Sequence, residues 1–219
     1  TAAGAAVVIM ARAPFGPRPP KSRLAAPLPA EADRRRLYAA FLTDTVRASR
    51  ETAAVVRIAY TPSGGTRGFD EVGVNPRELL AQRGDDLGTR ERGVFTDLFA
   101  AGFSPVVMIG SDLPTLPMSR VQAALDRLTQ APDQVVLGPA EDGGYYLMGL
   151  TGTTSADVPD LFSNIRWSTT ETLADTVKAA NAAGLAVSYV DAWYDVDDEA
   201  GLTRLREELA TAAGAARAP

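Results

Sequence analysis

The chain contains no cysteine and no histidine, and both absences narrow its chemistry. Without cysteine there is no disulfide, no thiolate metal site and no cysteine nucleophile. Without histidine, the side chain that most often acts as a general base near neutral pH is missing. Catalysis must therefore use carboxylates, lysine, arginine, hydroxyl groups or a bound metal ion. The lack of cysteine also fits a cytoplasmic protein, which is the location that we expect.

Excess basic charge and long apolar runs are missing as well. The 219 residues carry a net charge of −5, whereas nucleic-acid binding needs a basic face that displaces counterions from phosphates. We therefore expect no nucleic-acid partner. No apolar run approaches the roughly 20 residues that span a bilayer, so we expect no membrane span. The apolar opening segment 1–10 predicts a buried strand and not a signal peptide, because no Lys or Arg precedes it.

What is present fits one globular domain. Apolar residues make up 46% of the chain and charged residues 22%, as in ordinary globular proteins. A chain of this length suits one large α/β domain better than two small ones. We predict this domain over residues 1–209, followed by a flexible Ala-rich tail over residues 210–219.

Short apolar runs with the character of strands alternate with segments of helical periodicity. Buried strands are predicted at residues 5–10, 54–60, 105–110, 134–137, 145–150 and 185–190. The apolar stripes of five helices lie within residues 37–46, 94–99, 121–128, 173–177 and 202–209. This alternation predicts an α/β fold of Rossmann type, with three layers: a mostly parallel central sheet and helices on both of its faces.

The segment after the first strand, residues 13–29, is rich in proline and basic residues. In a doubly wound sheet, ligands bind outside the carboxyl ends of the strands. The cations of this region are Arg12, Arg18, Lys21 and Arg23, beside Gly16. Lysine as a point charge and arginine as a bidentate fork suit the binding of phosphates. A solvated basic loop is the alternative.

Acidic residues follow two further strands. Asp112 lies just after the predicted strand 105–110, where it either binds a hard cation such as Mg²⁺ or caps the helix that begins near Pro117. In an extended segment, Asp195 and Asp197 point to the same side, and they would complete a metal site with Asp112. The acidic cluster that contains them precedes a helix, so one of its members is also predicted to be an N-cap.

Two glycine-containing loops are further candidates. Gly143 and Gly144, next to Asp142, permit a positive φ or a close approach of the backbone to a ligand. They are equally compatible with a plain hairpin turn. A loop that enters the predicted helix around residue 94 offers backbone N–H groups to an anion. Its candidate residues are Gly84, Asp86, Gly88 and Arg90.

Taken together and in this order, these segments resemble a bacterial family of DUF2064 type, usually labelled "glycosyltransferase" or "transferase 1". That family belongs to the GT-A nucleotide-diphospho-sugar transferase superfamily. The blocks K-T-R-L, G-x-D-L-G-x-R, G-S-D-x-P-T-L, G-P-x-x-D-G-G-Y-Y-L, W-S-T and D-V-D are similar to residues 21–24, 84–90, 110–116, 138–147, 167–169 and 195–197. The chain departs from the family pattern at Ser22, Glu91, Asp198 and Gly201. The resemblance covers about residues 7–205 and implies a GT-A-like fold, a nucleotide substrate and a homodimer.

The resemblance leaves three functions open. We favour a Mg²⁺-dependent (or Mn²⁺-dependent) nucleotidyltransferase that uses a nucleoside triphosphate and a small anionic acceptor. The reason is that the metal loop has one acid, Asp112, where glycosyltransferases usually carry Asp-x-Asp. The basic loop with Lys21 and Arg23 is also similar to that of the phospholactate, phosphoenolpyruvate and molybdenum-cofactor guanylyltransferases. The alternatives are a GT-A glycosyltransferase that uses a nucleotide sugar and an inactive nucleotide-binding regulatory protein.

The favoured function assigns a role to each candidate. The catalytic residues are Lys21, Arg23, Asp112 and Asp142, and the metal ligands are Asp112, Asp195 and Asp197. The nucleotide is expected to bind at Arg12, Gly16, Lys21, Arg23, Gly84, Asp86, Gly88 and Arg90. The acceptor is expected at Asp142, Gly143, Gly144 and Tyr146. An acceptor that is already anionic needs no general base, which suits a chain without histidine.

Overall fold

The computed structural model describes residues 4–152 and 158–211 of the chain. Its strands are β1 (Gly4–Arg12), β2 (Val55–Thr61), β3 (Leu79–Ala81), β4 (Phe103–Gly110), β5 (Gln134–Pro139), β6 (Tyr145–Leu150) and β7 (Ala186–Tyr189). Its α-helices are α1 (Glu31–Ser49), α2 (Leu87–Ala100), α3 (Met118–Gln130), α4 (Thr172–Ala182) and α5 (Glu199–Ala210). The six predicted strands and the five predicted helices are all present, although β7, predicted to be buried, is partly exposed at the edge of the sheet. Residues 1–3 of the predicted first strand and 212–219 of the predicted tail lie outside the described residues.

The strands of the described chain form one sheet in the order β3-β2-β1-β4-β6-β5-β7. Strand β6 pairs antiparallel with β4 and β5, and the other pairs are parallel. The prediction of a mostly parallel sheet is therefore confirmed. The chain adds β2 and β3 on one side of β1 and then crosses to place β4 on the other side. A reversal of this kind opens a crevice at the carboxyl ends of the strands, here between β1 and β4.

The two faces of the sheet carry separate cores, which confirms the predicted three layers. Alternate residues of a strand point to opposite faces. Val7 and Ile9 of β1 therefore pack with residues of α1, α3 and α5 on one face, and Ala6 and Val8 pack with α2 and α4 on the other. All four are fully buried, and burial of a large aliphatic side chain stabilises the fold by about 1.5–3 kcal/mol. The sheet is thus a rigid base for the loops at its edge.

Three details differ from the sequence predictions. The edge strand β3 was not predicted; it has three residues, which pair with β2 from Ile58↔Leu79 onwards, and is too short to show an alternating pattern. The proline-rich segment 13–29 contains a short 3-10 helix, Ser22–Leu24. The predicted tail begins too early, because Ala210 is still part of α5.

Within residues 4–152 and 158–211, no helix has both the length and the apolar character needed to cross a membrane.

Candidate active site

A cavity of about 360 Å³ opens at the carboxyl ends of β1, β2, β3 and β4. The charged side chains that line it are Arg12, Lys21, Arg23, Arg90, Asp112 and Asp197. Four segments that are far apart in sequence contribute them. The topology therefore brings together most of the predicted phosphate-binding cations and two of the three predicted metal ligands. We call this space the nucleotide-side cavity.

Lys21 lies at the centre of a charge cluster at the floor of this cavity. Its Nζ is 2.7 Å from Oδ1 of Asp112 and 2.8 Å from Oδ1 of Asp197. It also donates a hydrogen bond of 2.8 Å to the carbonyl oxygen of Val196. The lysine side chain is only 3% exposed. Its backbone has a φ of +58°, a left-handed conformation that is unfavourable for a residue with a Cβ. The two ion pairs offset this cost and hold the first loop against the acidic segments.

The backbone fixes the two carboxylates side by side. The N–H of Val196 donates to the carbonyl oxygen of Asp112 at 3.0 Å, which joins the loop after β4 to the segment before α5. Asp198 is the N-cap of α5, since its Oδ1 accepts from the N–H of Gly201 at 2.9 Å. One member of the acidic cluster therefore caps the helix, as predicted, and Asp197 remains directed to the site. Asp112 does not cap α3, whose N-cap position is Pro117.

The electrostatics of the cluster favour a further cation. Burial raises the pKa of Asp195 to about 7, and the charges of Asp197, Asp112 and Asp142 add to this rise. Burial also acts to raise the pKa of Asp197, but the ammonium of Lys21 and the guanidinium of Arg23 reverse the shift, so that this pKa is lowered. Several carboxylates thus repel one another around a single lysine ammonium, and an additional positive charge would relieve that repulsion.

The donor set fits a hard metal ion that arrives with a substrate. In the described part of the chain, no group of three or more acidic side chains is spaced to hold a metal ion unaided. However, Oδ1 of Asp112 is buried, and apart from the ammonium of Lys21, 2.7 Å away, it has no hydrogen-bond donor in the described structure. Proteins usually hold Mg²⁺ through one or two carboxylates together with substrate phosphates. Asp112 and Asp197, at the edge of a cavity lined by cations, match that arrangement.

The predicted anion-binding loop before α2 is divided between two roles. Arg90 lines the nucleotide-side cavity, and its Nε donates to the carbonyl oxygen of Gly84 at 2.9 Å. Asp86 is the N-cap of α2, because its Oδ1 accepts from the N–H of Thr89 at 2.7 Å. Gly88 lies against Trp167, where a Cβ would be 2.7 Å from the indole ring. Gly84, Asp86 and Gly88 thus shape the start of α2, and Arg90 is the member that reaches the cavity.

Gly16, also predicted to bind the nucleotide, lies in a separate cavity beside Arg35 and Arg67. Its carbonyl oxygen accepts a hydrogen bond of 2.9 Å from Nη1 of Arg35. Gly16 is buried and shapes the first loop, and it does not line the nucleotide-side cavity to which the sequence prediction assigned it.

A second cavity, of about 330 Å³, adjoins the first and shares Arg23 and Asp197 with it. We call it the acceptor-side cavity. Its other charged residues are Glu141, Asp142, Asp195, Asp198 and Arg204. The guanidinium of Arg204 pairs with Glu141 at 2.6 Å and lies 3.9 Å from the ring centroid of Tyr194. This cavity is therefore acidic, with two arginines at its border.

Of the four residues predicted to bind the acceptor, Asp142 lines this cavity. Gly143 and Gly144 form the turn between β5 and β6, and the N–H of Gly144 donates to Oδ1 of Asp142 at 2.9 Å. Tyr146 is buried behind the turn, and its hydroxyl donates to the carbonyl oxygen of Asp191 at 2.8 Å. Gly144 therefore holds the carboxylate of Asp142 in place, whereas Tyr146 lines neither cavity.

Among the residues of the nucleotide-side cavity that were not predicted from the sequence are Tyr38 and Gln82. The hydroxyl of Tyr38 accepts from the N–H of Arg12 at 2.8 Å and lies 3.1 Å from Oγ of Ser111, so it joins the ends of β1 and β4. Gln82, directly after β3, also lines the cavity. Tyr38 occurred in the apolar stripe of α1. Gln82 opens the glycine-containing loop that was predicted to meet an anion, but the residue itself was not assigned to the site.

The fold and the site define a class of enzymes, the transferases with a nucleotide-diphospho-sugar transferase fold. A protein of Desulfovibrio desulfuricans G20 assigned to the nucleotide-diphospho-sugar transferases matches this chain with a TM-score of 0.83 and 28% identity, covering 97% of this chain and 90% of that one. CMP:2-keto-3-deoxy-manno-octonic acid synthetase, solved with CTP, has the same fold, with a TM-score of 0.59, 15% identity and coverage of 94% and 98%.

The chain belongs to the family described as "uncharacterized protein conserved in bacteria (DUF2064)", which matches residues 45–169. It is also 31% identical, over 196 residues, to 2-phospho-L-lactate guanylyltransferase of Halobacterium salinarum (strain ATCC 29341 / DSM 671 / R1), covering 86% of this chain and 80% of the relative. The resemblance inferred from the motifs is therefore confirmed. The protein is a transferase, and its homology to a guanylyltransferase supports nucleotidyl transfer.

Proposed function

We propose that this protein is a Mg²⁺-dependent nucleotidyltransferase that transfers a nucleoside monophosphate from a nucleoside triphosphate to the phosphate of a small acceptor. The observation that carries the proposal is the cluster in which Lys21 lies between Asp112 and Asp197. This cluster joins a cavity lined by arginines to an acidic cavity of similar size. A site for two substrates, with cations on one side and carboxylates at the junction, suits the cleavage of a triphosphate.

In the proposed reaction, a phosphate oxygen of the acceptor attacks the α-phosphorus of the triphosphate. The bond between the α-phosphorus and the oxygen that bridges to the β-phosphate breaks, and pyrophosphate leaves with that electron pair. Negative charge grows on the leaving group, where Lys21, Arg12 and Arg23 would neutralise it. The attacking oxygen is already anionic, so no proton has to be removed.

The metal would be held by Asp112 and Asp197, with Asp195 beside them. When bound, Mg²⁺ or Mn²⁺ supplies Lewis-acid polarisation of the phosphoryl group. The carboxylates of Asp112 and Asp197 also help to position the loop after β4 and the segment before α5, where the two cavities meet. On the acceptor side, Asp142 would accept hydrogen bonds from the hydroxyl groups of the acceptor.

Glycosyl transfer is the second candidate function. It is favoured by Asp142, a carboxylate that lines the acceptor-side cavity, because an inverting transfer to a hydroxyl acceptor needs a carboxylate base. The D. desulfuricans relative, assigned to the nucleotide-diphospho-sugar transferases, agrees with this alternative.

Ligand-dependent thermal stability separates the two functions. Ligands that bind the folded state raise its stability by RT ln(1 + [L]/Kd), so we expect one nucleoside triphosphate with Mg²⁺ to raise the Tm of the purified protein. We further expect release of pyrophosphate once a phosphorylated acceptor is added. A shift with a nucleotide sugar, and none with any triphosphate, would instead favour glycosyl transfer. Triphosphate binding without turnover by any acceptor would indicate an inactive nucleotide-binding protein.

The first variant to test is Asp112→Asn, which keeps the size of the side chain and removes its charge. We expect a folded protein whose affinity for the triphosphate with Mg²⁺, measured by titration calorimetry, falls by at least about tenfold. The matched control is Asp191→Asn, whose side chain is 88% exposed and does not line either cavity. Unchanged Mg²⁺-dependent binding in Asp112→Asn would refute the metal assignment.

A further inference from the structure

A third cavity, of about 710 Å³, contains Gly16 and shares no lining residue with the two cavities of the proposed active site. Its walls are residues 15–17 of the first loop, residues 64–67 of the loop after β2, and the side chain of Arg35 from α1. We call it the Arg35–Arg67 cavity. Its volume lies within the range of small-molecule sites.

The two loops that form this cavity are packed against each other. The N–H of Ala13 donates to the carbonyl oxygen of Thr61 at 3.2 Å, and the N–H of Phe15 donates to that of Arg67 at 3.4 Å. The ring of Phe15 covers Gly68, where a Cβ would collide with it. The cavity is therefore a product of the fold and not a gap between independent loops.

The guanidinium of Arg35 is fixed beside the cavity. Its Nη1 donates to the carbonyl oxygens of Pro14 at 3.1 Å and Gly16 at 2.9 Å, and its Nε donates to Oε1 of Glu31 at 2.8 Å. The side chain is only 15% exposed. Its Nη2 has no partner among the described residues. Arg35 is thus held in one position and retains unused donors.

Arg67 provides a second cation. Its side chain is exposed and makes no hydrogen bond or ion pair with the described residues. No carboxylate lines this cavity, whereas the nucleotide-side and acceptor-side cavities both contain aspartates. Two arginines without a lining acid are unexpected in a chain with a net charge of −5. They suit an anion, and the planar fork of donors on a guanidinium matches phosphate oxygens.

We propose that the Arg35–Arg67 cavity binds the phosphate group of a small molecule, at a site separate from the one where nucleotidyl transfer is proposed. Nη2 of Arg35 and the guanidinium of Arg67 would donate to the phosphate oxygens. The double negative charge of a phosphate balances two guanidinium groups, which a single carboxylate does not. Phe15 and Pro17 offer apolar surface to the rest of the molecule.

The same loop connects this cavity to the proposed active site. The segment from Pro17 to Lys21 also contains Pro19 and Pro20, and each proline fixes its φ angle. A ligand that holds residues 15–17 would restrict this stiff segment in advance and reduce the freedom that nucleotide binding must remove. We therefore expect the two sites to favour each other's occupancy; this expectation, unlike the site itself, rests on the proposed function.

Binding of the phosphate group is tested by calorimetry without nucleotide and without Mg²⁺. The probes are inorganic phosphate, pyrophosphate and phenyl phosphate. Tightest binding of pyrophosphate would identify the leaving group of the proposed reaction as the source of the phosphate, and tightest binding of phenyl phosphate would identify an organic phosphate. Binding of none of the three would overturn the proposal.

Arg67→Gln tests the location of the bound probe. We expect this variant to bind at least about tenfold more weakly, as expected for the loss of a charged hydrogen-bond donor. The matched control is Arg77→Gln, because Arg77 is equally exposed and lines none of the three cavities. Arg23→Gln, which removes a cation from the nucleotide-side cavity, should also keep the binding. A loss in Arg23→Gln but not in Arg67→Gln would place the phosphate in the nucleotide-side cavity and overturn the proposal.

The coupling is measured as the Kd of the nucleoside triphosphate with Mg²⁺, in the presence and absence of saturating phenyl phosphate. We expect phenyl phosphate to tighten triphosphate binding about fivefold in the wild type and to have no effect in Arg67→Gln. An unchanged or weaker affinity in the wild type would overturn the coupling. Failure of every triphosphate to bind would count against the proposed function and not against the phosphate site, which is measured without nucleotide.

Discussion

Lys21 shows how much the site depends on single charges. Its ammonium contacts Asp112 and Asp197, and the lysine side chain is almost completely buried. Removal of one partner from a buried ion pair leaves charge without compensation. We expect Lys21→Met to lower the free energy of unfolding by about 2 kcal/mol, less than for a fully buried pair because both carboxylates are partly exposed. Urea denaturation measures this change.

The same variant tests the proposed metal site without any turnover. A divalent cation between Asp112 and Asp197 would replace the missing ammonium, so we expect millimolar Mg²⁺ to restore most of the stability lost in Lys21→Met. Arg23→Gln is the control, because the Arg23 side chain is 72% exposed and lies 3.8 Å from Asp197. It should change stability little, with or without Mg²⁺. A loss in Lys21→Met that Mg²⁺ does not reduce would count against a cation site at these carboxylates.

The sequence predicted the charged half of the site better than its uncharged half. Asp112 follows a strand and Asp197 precedes a helix, and both belong to motifs whose order resembles that of a known family. Asp198 has the position of an N-cap. Tyr38 and Gln82 contribute through hydrogen bonds to backbone atoms of other strands. Such contacts depend on which strands become neighbours, and no local pattern of residues records that.

At the scale of elements, the turn between β5 and β6 connects the acceptor-side cavity to the segment before α4. Gly143 has a φ of +90°, and a Cβ there would lie 2.5 Å from the backbone of Thr170. The carbonyl oxygen of Gly143 also accepts from the N–H of Leu173 at 3.0 Å. The turn and the start of α4 therefore fit together only if this residue is glycine.

We expect Gly143→Ala to lower the free energy of unfolding by roughly 2–4 kcal/mol, because backbone strain and overpacking add together. The neighbouring variant Gly144→Ala is the control. Gly144 has no positive φ, and its Cβ would meet only the side chain of Asp142, at 3.2 Å. Its cost should be below about 1 kcal/mol. Equal losses in the two variants, measured by urea denaturation, would show that contact with Thr170 does not matter.

Most of the elements themselves were predictable, because their signal is local. The strands at residues 134–139 and 145–150 are continuous buried runs, and the helices carry apolar stripes with the spacing of one face. Strand β3 escaped prediction because its three residues are all half-buried and exist as a strand only through pairing with β2. The antiparallel direction of β6 follows from the short turn at residues 140–144, which cannot cross over the sheet.

At the scale of the whole molecule, one buried polar contact joins α2 to the sheet. The hydroxyl of Tyr145, at the start of β6, donates to Oε2 of Glu91 at 2.6 Å. Glu91 is 6% exposed, and it is the position in α2 where the family pattern that the chain resembles has a methionine. Burial raises the pKa of Glu91 to about 7, although the hydrogen bond from Tyr145 acts to lower it. The folded protein therefore keeps a proton here that the unfolded chain releases near pH 4.5.

This difference predicts how global stability depends on pH. Between about pH 4.5 and pH 7 the folded state binds more protons than the unfolded state at this position, so the free energy of unfolding must fall as the pH rises. The loss is on the order of 3 kcal/mol when complete, and it does not grow further above the folded pKa.

Glu91→Gln is neutral at every pH and retains an oxygen that can accept from Tyr145. We expect the variant to match the wild type near pH 5 and to exceed its stability at pH 8, measured by urea denaturation at both values. Asp195 also titrates near pH 7, but it is present in both proteins and cancels in the difference. Parallel pH profiles of the two proteins would mean that Glu91 is ionised in the folded state and that the contact between α2 and β6 holds a carboxylate.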